Sequence, residues 1–190
     1  MHHIVKYNSQ RDNFSFAGTF PGWKQCFSTC AYMMMTYYWG VSGSDHDLAA
    51  YVDDVEAGVG KKGIAETIKR AWMGRFTSYW MVVQQAGINK WMRGKGLHGE
   101  TIWGNGHWFE LDEVLKDGPV ILHTNKIGGL KGGHLVLVIG MDDEYYYLHD
   151  PYGVPWTNYV DTNGESVPVR KTYLKKYTDK KPLFMYWKGE

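Results

Sequence analysis

Cysteine is scarce in this chain of 190 residues, which has only Cys26 and Cys30. Two cysteines so close together exclude the disulfide framework of a small secreted protein and leave reduced thiols. A charge excess of one sign is also missing. Lys and Arg number 21 against 20 Asp and Glu, a formal net charge of +1, so no broad field exists to hold nucleic acid or an anionic membrane. No apolar run reaches the roughly 20 residues that span a bilayer, and Met1 to Gln10 lack the apolar stretch of a signal peptide. The chain is therefore expected to contain no integral membrane segment and to be cytoplasmic as synthesised. Neither a Walker-type phosphate loop nor a dinucleotide fingerprint occurs, since Gly128-Gly129-Leu130-Lys131-Gly132-Gly133 fits neither spacing. No cofactor and no metal are expected. There is no internal repeat and no low-complexity linker.

Hydrophobic residues make up 44% and charged residues 22%, a balance that supports a folded core and excludes disorder. The length fits one domain over residues 1–190, expected to act as a monomer. With 9 Trp and 14 Tyr, aromatics exceed what such a core requires, which points to a lined cleft.

The start through Phe20 is polar and broken by Gly18 and then Pro21-Gly22, and reads as extended segment or loop. From Cys26 the sequence is almost wholly apolar as far as Gly40, a suitable helix stop, which predicts a buried helix over about Phe27–Trp39. Ser44 is placed to cap a second helix over Asp45–Val52, with Asp45 and Asp47 near its positive end. Gly63–Trp72 suggests a third. Arg93 to Gly106 holds five glycines and few apolar positions, and reads as a long surface loop near the site. Leu111–Lys116 is helix-like. The second half then changes character: Pro119–His123, His134–Ile139 and Tyr145–His149 are short β-type runs, and Tyr159-Val160 with Val167–Val169 around Asn163-Gly164 suggests another hairpin. Leu183–Trp187 reads as a closing strand. Helices first and strands second give an α+β fold, an N-terminal helical part packed on a C-terminal antiparallel sheet, with room for a site between them.

Cys26 stands where the apolar helix begins, so free amides and the helix dipole favour its thiolate. A lone cysteine is more often a small buried hydrophobe, so its context decides. Gly132-Gly133-His134 leads into Leu-Val-Leu-Val-Ile, setting a histidine at the first residue of a strand. Sixteen residues later Asp150 ends the next strand in His149-Asp150-Pro151-Tyr152-Gly153. Alone, His134 reads as structural and Asp150 as a turn former before proline. Together, on neighbouring strands, they supply a base and a carboxylate that fixes its tautomer.

These residues, with Ser9-Gln10-Arg11-Asp12-Asn13 upstream and Cys26-Phe-Ser-Thr29-Cys30-Ala-Tyr-Met33, resemble the C39-like peptidase family, which has a papain-like fold. The resemblance covers the start through Gly40 and then Leu111 to Gly153, while Asp53 to Glu110 resembles nothing nameable. It implies Cys26 as nucleophile, His134 as general base, Asp150 as its orienter and Gln10 as oxyanion donor beside the Cys26 amide. Gln25 competes with Gln10, but its side chain diverges from that of the adjacent Cys26. Cys30 stands where the family more often has serine, which raises the question of which thiol attacks; one turn deeper, it should be packed.

A zinc site built on Cys26 and Cys30 lacks a matching histidine pair. His2-His3 reads as a solvated tail, and His98 with His107 offers no ligand arrangement. Trp91, Trp103, Trp108 and Trp156 surround the glycine-rich stretch and the segment after Asp150, as a substrate platform for sugar or peptide or as core. The expected function is that of a cysteine peptidase working through a Cys26 thioester. Its expected substrate is a peptide, including the peptidoglycan peptides cut by a phage-type lysin (endolysin) of a bacteriophage. Such a lysin would reach the bacterial wall after release or virion delivery. Two alternatives stand beside it: a papain-like acyl transferase, and a catalytically silent module that binds wall fragments or protein.

Overall fold

A computed structural model describes residues 1–13, 25–58 and 79–189. The helix predicted over Gly63–Trp72 lies outside them. Helix α1 is Cys26–Trp39, and its first ten residues are all buried. A helix apolar on every side can only be a central one. It stops at Gly40, whose φ of 59° puts it in the left-handed region while its N–H bonds Thr36 O at 2.9 Å. Helix α2, Asp45–Gly58, starts as predicted: Ser44 Oγ accepts from Asp47 N at 3.1 Å, and the Asp47 carboxylate accepts in return from Ser44 N at 3.2 Å. Helix α3, Tyr79–Gly94, packs on α2 where Gly87 lies against Val52.

Besides short 3-10 turns, the other elements among the described residues are β1 (Glu100–Asn105), α4 (Trp108–Val114), β2 (Val120–Asn125), β3 (Gly133–Met141), β4 (Tyr145–His149), β5 (Val167–Arg170), α5 (Lys171–Lys176) and β6 (Leu183–Lys188). The strands form one antiparallel sheet in the order β1-β6-β2-β3-β4-β5. Its central strands are buried on both faces. Ile121, Leu135, Leu137, Ile139 and Met185 pack with Phe27, Cys30, Met33 and Met34 of α1. Their alternates Leu122, Val136, Val138 and Phe184 pack with Tyr146, Leu111, Leu115 and Leu174 on the other side. Period two thus divides each strand between two cores, and each fully buried aliphatic side chain contributes roughly 1.5–3 kcal/mol.

Three expectations are corrected. The stretch from Arg93 to Gly106 is not a loop: after α3 ends at Gly94, it pairs as β1 with β6, from Glu100↔Lys188 to Asn105↔Leu183. Gly104 belongs in the strand because the Phe184 ring occupies the space of its missing side chain. Tyr159-Val160 is not a strand, because Asn158 and Tyr159 have φ of 52° and 61°, which no strand tolerates. β5 pairs with β4 instead. Nor are His2 and His3 a solvated tail. His2 bridges Gly140 and stacks on Tyr147, while His3 bonds Leu115 O at 2.7 Å and the Tyr37 hydroxyl at 3.1 Å. No described helix is long and apolar enough to cross a membrane.

Candidate active site

Cys26 is the first residue of α1, where backbone N–H groups have no partner within the helix. One turn on, Cys30 Sγ lies 3.4 Å from Leu135 O, the residue after His134 in β3. That contact sets the start of α1 against the start of β3 and leaves Cys26 beside His134. At Gly133, just before it, the His123 ring of β2 occupies the space that a side chain would need. The neighbouring Thr124 hydroxyl donates to His134 O at 3.1 Å and fixes the main chain under the imidazole.

His134 Nε2 meets Asp150 Oδ1 at 2.7 Å, with both residues buried. Donation to the carboxylate places the other ring nitrogen, Nδ1, on the side of Cys26. Burial pulls the His134 pKa down. The Asp150 charge and hydrogen bond outweigh that pull, the Cys26 sulfur adds to them, and the result is pushed up to about 10. At neutral pH the site therefore holds an imidazolium next to a sulfur.

Asp150 follows β4 directly, and its loop is closed by glycine: Gly164 passes so near Asp150 O that no Cβ would fit. Asp150 N donates to Gly164 O at 2.9 Å, and the Tyr7 hydroxyl donates to Asp150 O at 3.0 Å. Within the carboxylate, Oδ1 also accepts from Tyr152 N at 2.9 Å, and Oδ2 accepts from the Tyr159 hydroxyl at 3.1 Å.

Gln10 and Gln25 are both buried. Gln10 lies on a 3-10 turn, Gln10–Asp12, whose first N–H bonds Pro151 O at 2.9 Å and whose following residue, Asn13, reaches Thr29 of α1 at 3.4 Å. Its segment therefore bridges the Asp150 loop and the first turn of α1. Gln25 precedes α1, and its carbonyl accepts from Thr29 N and the Ser28 hydroxyl, both at 3.0 Å.

The four tryptophans are not brought together. Trp91 and Trp103 are buried in the α1-side core, Trp103 stacked on Phe27 at 5.7 Å, and Trp108 packs beside Tyr146 on the opposite face of the sheet. Trp156 alone is exposed, at 48%, on the 3-10 turn Pro155–Thr157 after Asp150. Conversely, Tyr159, Arg11 and Asp45 sit at the site although the sequence reading assigned them no part in it. Asp45, only 5% exposed, accepts from the Thr29 hydroxyl at 2.7 Å and from Asn13 Nδ2 at 2.8 Å. The signal for Asp45 was its place beside a cap, which accounts equally well for a surface acid.

A buried Cys/His/Asp cluster between a helix start and an antiparallel sheet defines the papain-like class. Residues 3–181 match the Peptidase_C39 like family, and the chain belongs to it. The match runs through the middle of the chain, beyond the stretches that carried the resemblance in sequence. Among solved structures, a C39-like peptidase from Bacillus anthracis has a TM-score of 0.58 at 15% identity, covering 99% of this chain and 97% of that one. A double glycine motif protease from an AMS/PCAT transporter, solved in complex with the leader peptide, has a TM-score of 0.53 at 16% identity, covering 100% and 94%. Both similarities show the papain-like fold. No curated protein matches the chain in sequence.

Proposed function

We propose that this peptidase hydrolyses peptide bonds through a thioester on Cys26, with His134 as base, Asp150 as its orienter, and Gln10 with the Cys26 amide as oxyanion donors. The observation that carries the reading is the buried 2.7 Å bond from His134 Nε2 to Asp150, which leaves Nδ1 for the thiol. Cys26 Sγ, with its proton already carried on Nδ1 of the imidazolium, attacks the carbonyl carbon. The imidazolium then protonates the leaving amine as the C–N bond breaks. Water, deprotonated by Nδ1, attacks the thioester, and the acid leaves with the thiol restored. No step calls for a metal or cofactor. A peptide substrate is supported by the related protease solved with a leader peptide. Within that class we favour peptidoglycan peptides and a phage-type lysin acting at the bacterial wall, with the exposed Trp156 facing substrate.

Labelling with iodoacetamide at pH 6, followed by intact mass, tests the triad. Wild type is expected to react at Cys26 well above the rate of a free thiol of pKa about 8.5, Cys26→Ala not at that site, and His134→Ala at least tenfold more slowly. A slow wild-type reaction, or one indifferent to His134, rejects the mechanism. Purified peptidoglycan that releases no new amino termini rejects the lysin assignment and leaves the peptidase.

A further inference from the structure

The carboxyl group of an aspartate turns easily about its last side-chain bond, because that torsion is broad. Asp150 nevertheless has to present one oxygen to His134 and keep it there. Oδ1 is shared by His134 Nε2 at 2.7 Å and Tyr152 N at 2.9 Å, and Oδ2 takes the Tyr159 hydroxyl at 3.1 Å. The Tyr159 ring is 5% exposed and stands edge-on to His134, centroids 6.0 Å apart at 79°, and to Tyr152, 5.0 Å apart at 75°. Tyr152 itself stands edge-on to His134 at 6.2 Å. Two aromatic rings thus wall the imidazole.

The main chain delivers Tyr159 in an uncommon way. Asn158 and Tyr159 are both left-handed, at φ 52° and 61°, a conformation that a bulky side chain adopts only where its surroundings insist. Those surroundings are visible. Tyr159 N bonds Val154 O at 3.2 Å, and Gly128 is bare where a Cβ would strike the Tyr159 ring and Pro155. Arg11 Nη2 donates to Tyr159 O at 3.0 Å. The same guanidinium donates through Nε to Tyr152 O at 2.6 Å and lies 4.1 Å over the Tyr152 ring. Arg11 follows Gln10 directly, so one side chain ties the proposed oxyanion segment to both tyrosines around Asp150.

We infer that Tyr159 is a positioning residue for the Asp150–His134 pair, fixed by Arg11 from the segment that carries Gln10. The inference rests on the triad proposed above. Burial, with the Asp150 charge next, holds the Tyr159 phenol well above its ordinary pKa, so it remains a donor wherever the triad works. Losing the hydroxyl frees the carboxylate to turn and weakens its hold on the imidazolium.

The test follows the ring nitrogens of His134 by NMR against pH in protein labelled with ¹⁵N-histidine. It compares wild type, Tyr159→Phe and Arg11→Lys, with iodoacetamide labelling of wild type and His134→Ala alongside. Tyr159→Phe keeps the ring and its packing. Its His134 midpoint is expected to fall by about one pH unit, a tenfold loss of proton affinity. Arg11→Lys keeps the charge without bridging two carbonyls, and should move the midpoint the same way by less. A midpoint unchanged in both variants, with fast His134-dependent labelling of wild-type Cys26, overturns the inference and leaves the triad. A midpoint that falls while wild-type Cys26 is inert supports the hold of Tyr159 on the pair and rejects the proposed hydrolysis.

Discussion

Two thiols stand one helical turn apart in α1, Cys26 beside the His134 ring and Cys30 against a backbone carbonyl. Cys30 is fully buried with Sγ 3.4 Å from Leu135 O, and burial, then the nearby Cys26, Asp150 and Asp45, pushes its thiol well above the ordinary value. A neutral buried thiol is a poor nucleophile. Native protein should therefore take one equivalent of iodoacetamide, at Cys26, and a second only after denaturation. Cys30→Ser, whose hydroxyl keeps a donor to Leu135 O, should leave the Cys26 rate within about twofold and cost about 1–2 kcal/mol in urea unfolding. Two equivalents in the native state, or a large loss of rate in Cys30→Ser, would place the reactive thiol one turn deeper. Cys26, His134 and Asp150 were legible because each has a local mark: the start of an apolar helix, glycines before a strand, a proline after one. Tyr159 has none. Its role depends on a left-handed main chain and on Arg11, 148 residues away, and neither leaves a trace in a short window of sequence.

The element that joins the halves of the site is the N-terminal segment. His3 N bonds Ile139 O at 2.7 Å, the Ser9 hydroxyl lies 3.4 Å from Pro151 O, and Asn8 and Asn13 reach Asp45 at the start of α2. Asp45 is the knot, since it also takes the Thr29 hydroxyl of α1. Asp45→Ala leaves the Thr29 and Asn13 donors without this acceptor, and should lower the unfolding free energy by about 2–4 kcal/mol. Asp45→Asn, which retains an acceptor oxygen, should recover part of that. Urea midpoints give the comparison, and a loss below about 0.5 kcal/mol in Asp45→Ala would show that the segment is held elsewhere. At this scale the sequence revealed α1, the Ser44 cap and the strands β2 to β4, whose periodicity is local. It hid β1, because the run Thr101-Ile102-Trp103 is short and leads into Gly104, whose place in a strand is explained only by Phe184 packing over it. It also hid the insertion of β6 between β1 and β2, a long-range pairing that no local pattern encodes.

For the whole molecule, the buried histidines set opposing slopes in stability. His134 is held up to about 10 against an ordinary value of 6.5. The folded chain keeps a proton that the unfolded chain releases, so this contribution is complete below pH 6.5 and is lost as pH rises toward 10. Cys30, raised from 9.0, adds to the loss at the upper end of that range. His149 works the other way. Its Nδ1 accepts from Ser166 N at 3.0 Å and its Nε2 donates to Val5 O at 2.8 Å, so the neutral ring is the one that fits. Burial lowers its pKa, with Glu165 pulling up and His2 pulling down among the charges that face it. His123 is lowered by burial as well. These two contributions are complete above 6.5 and are lost as pH falls below it. The melting temperature should therefore peak near pH 6.5. On the alkaline side one proton of difference gives a slope of roughly 3–5 °C per pH unit for a chain of this size. Calorimetry between pH 5 and 9 measures both limbs. Asp150→Asn, which removes the charge that holds the His134 proton, should flatten the alkaline limb, and His149→Gln should flatten the acid one. A melting temperature constant from pH 6.5 to 9 in wild type would mean that His134 carries no extra proton in the folded state, and the charged pair at the centre of the site would fall with it.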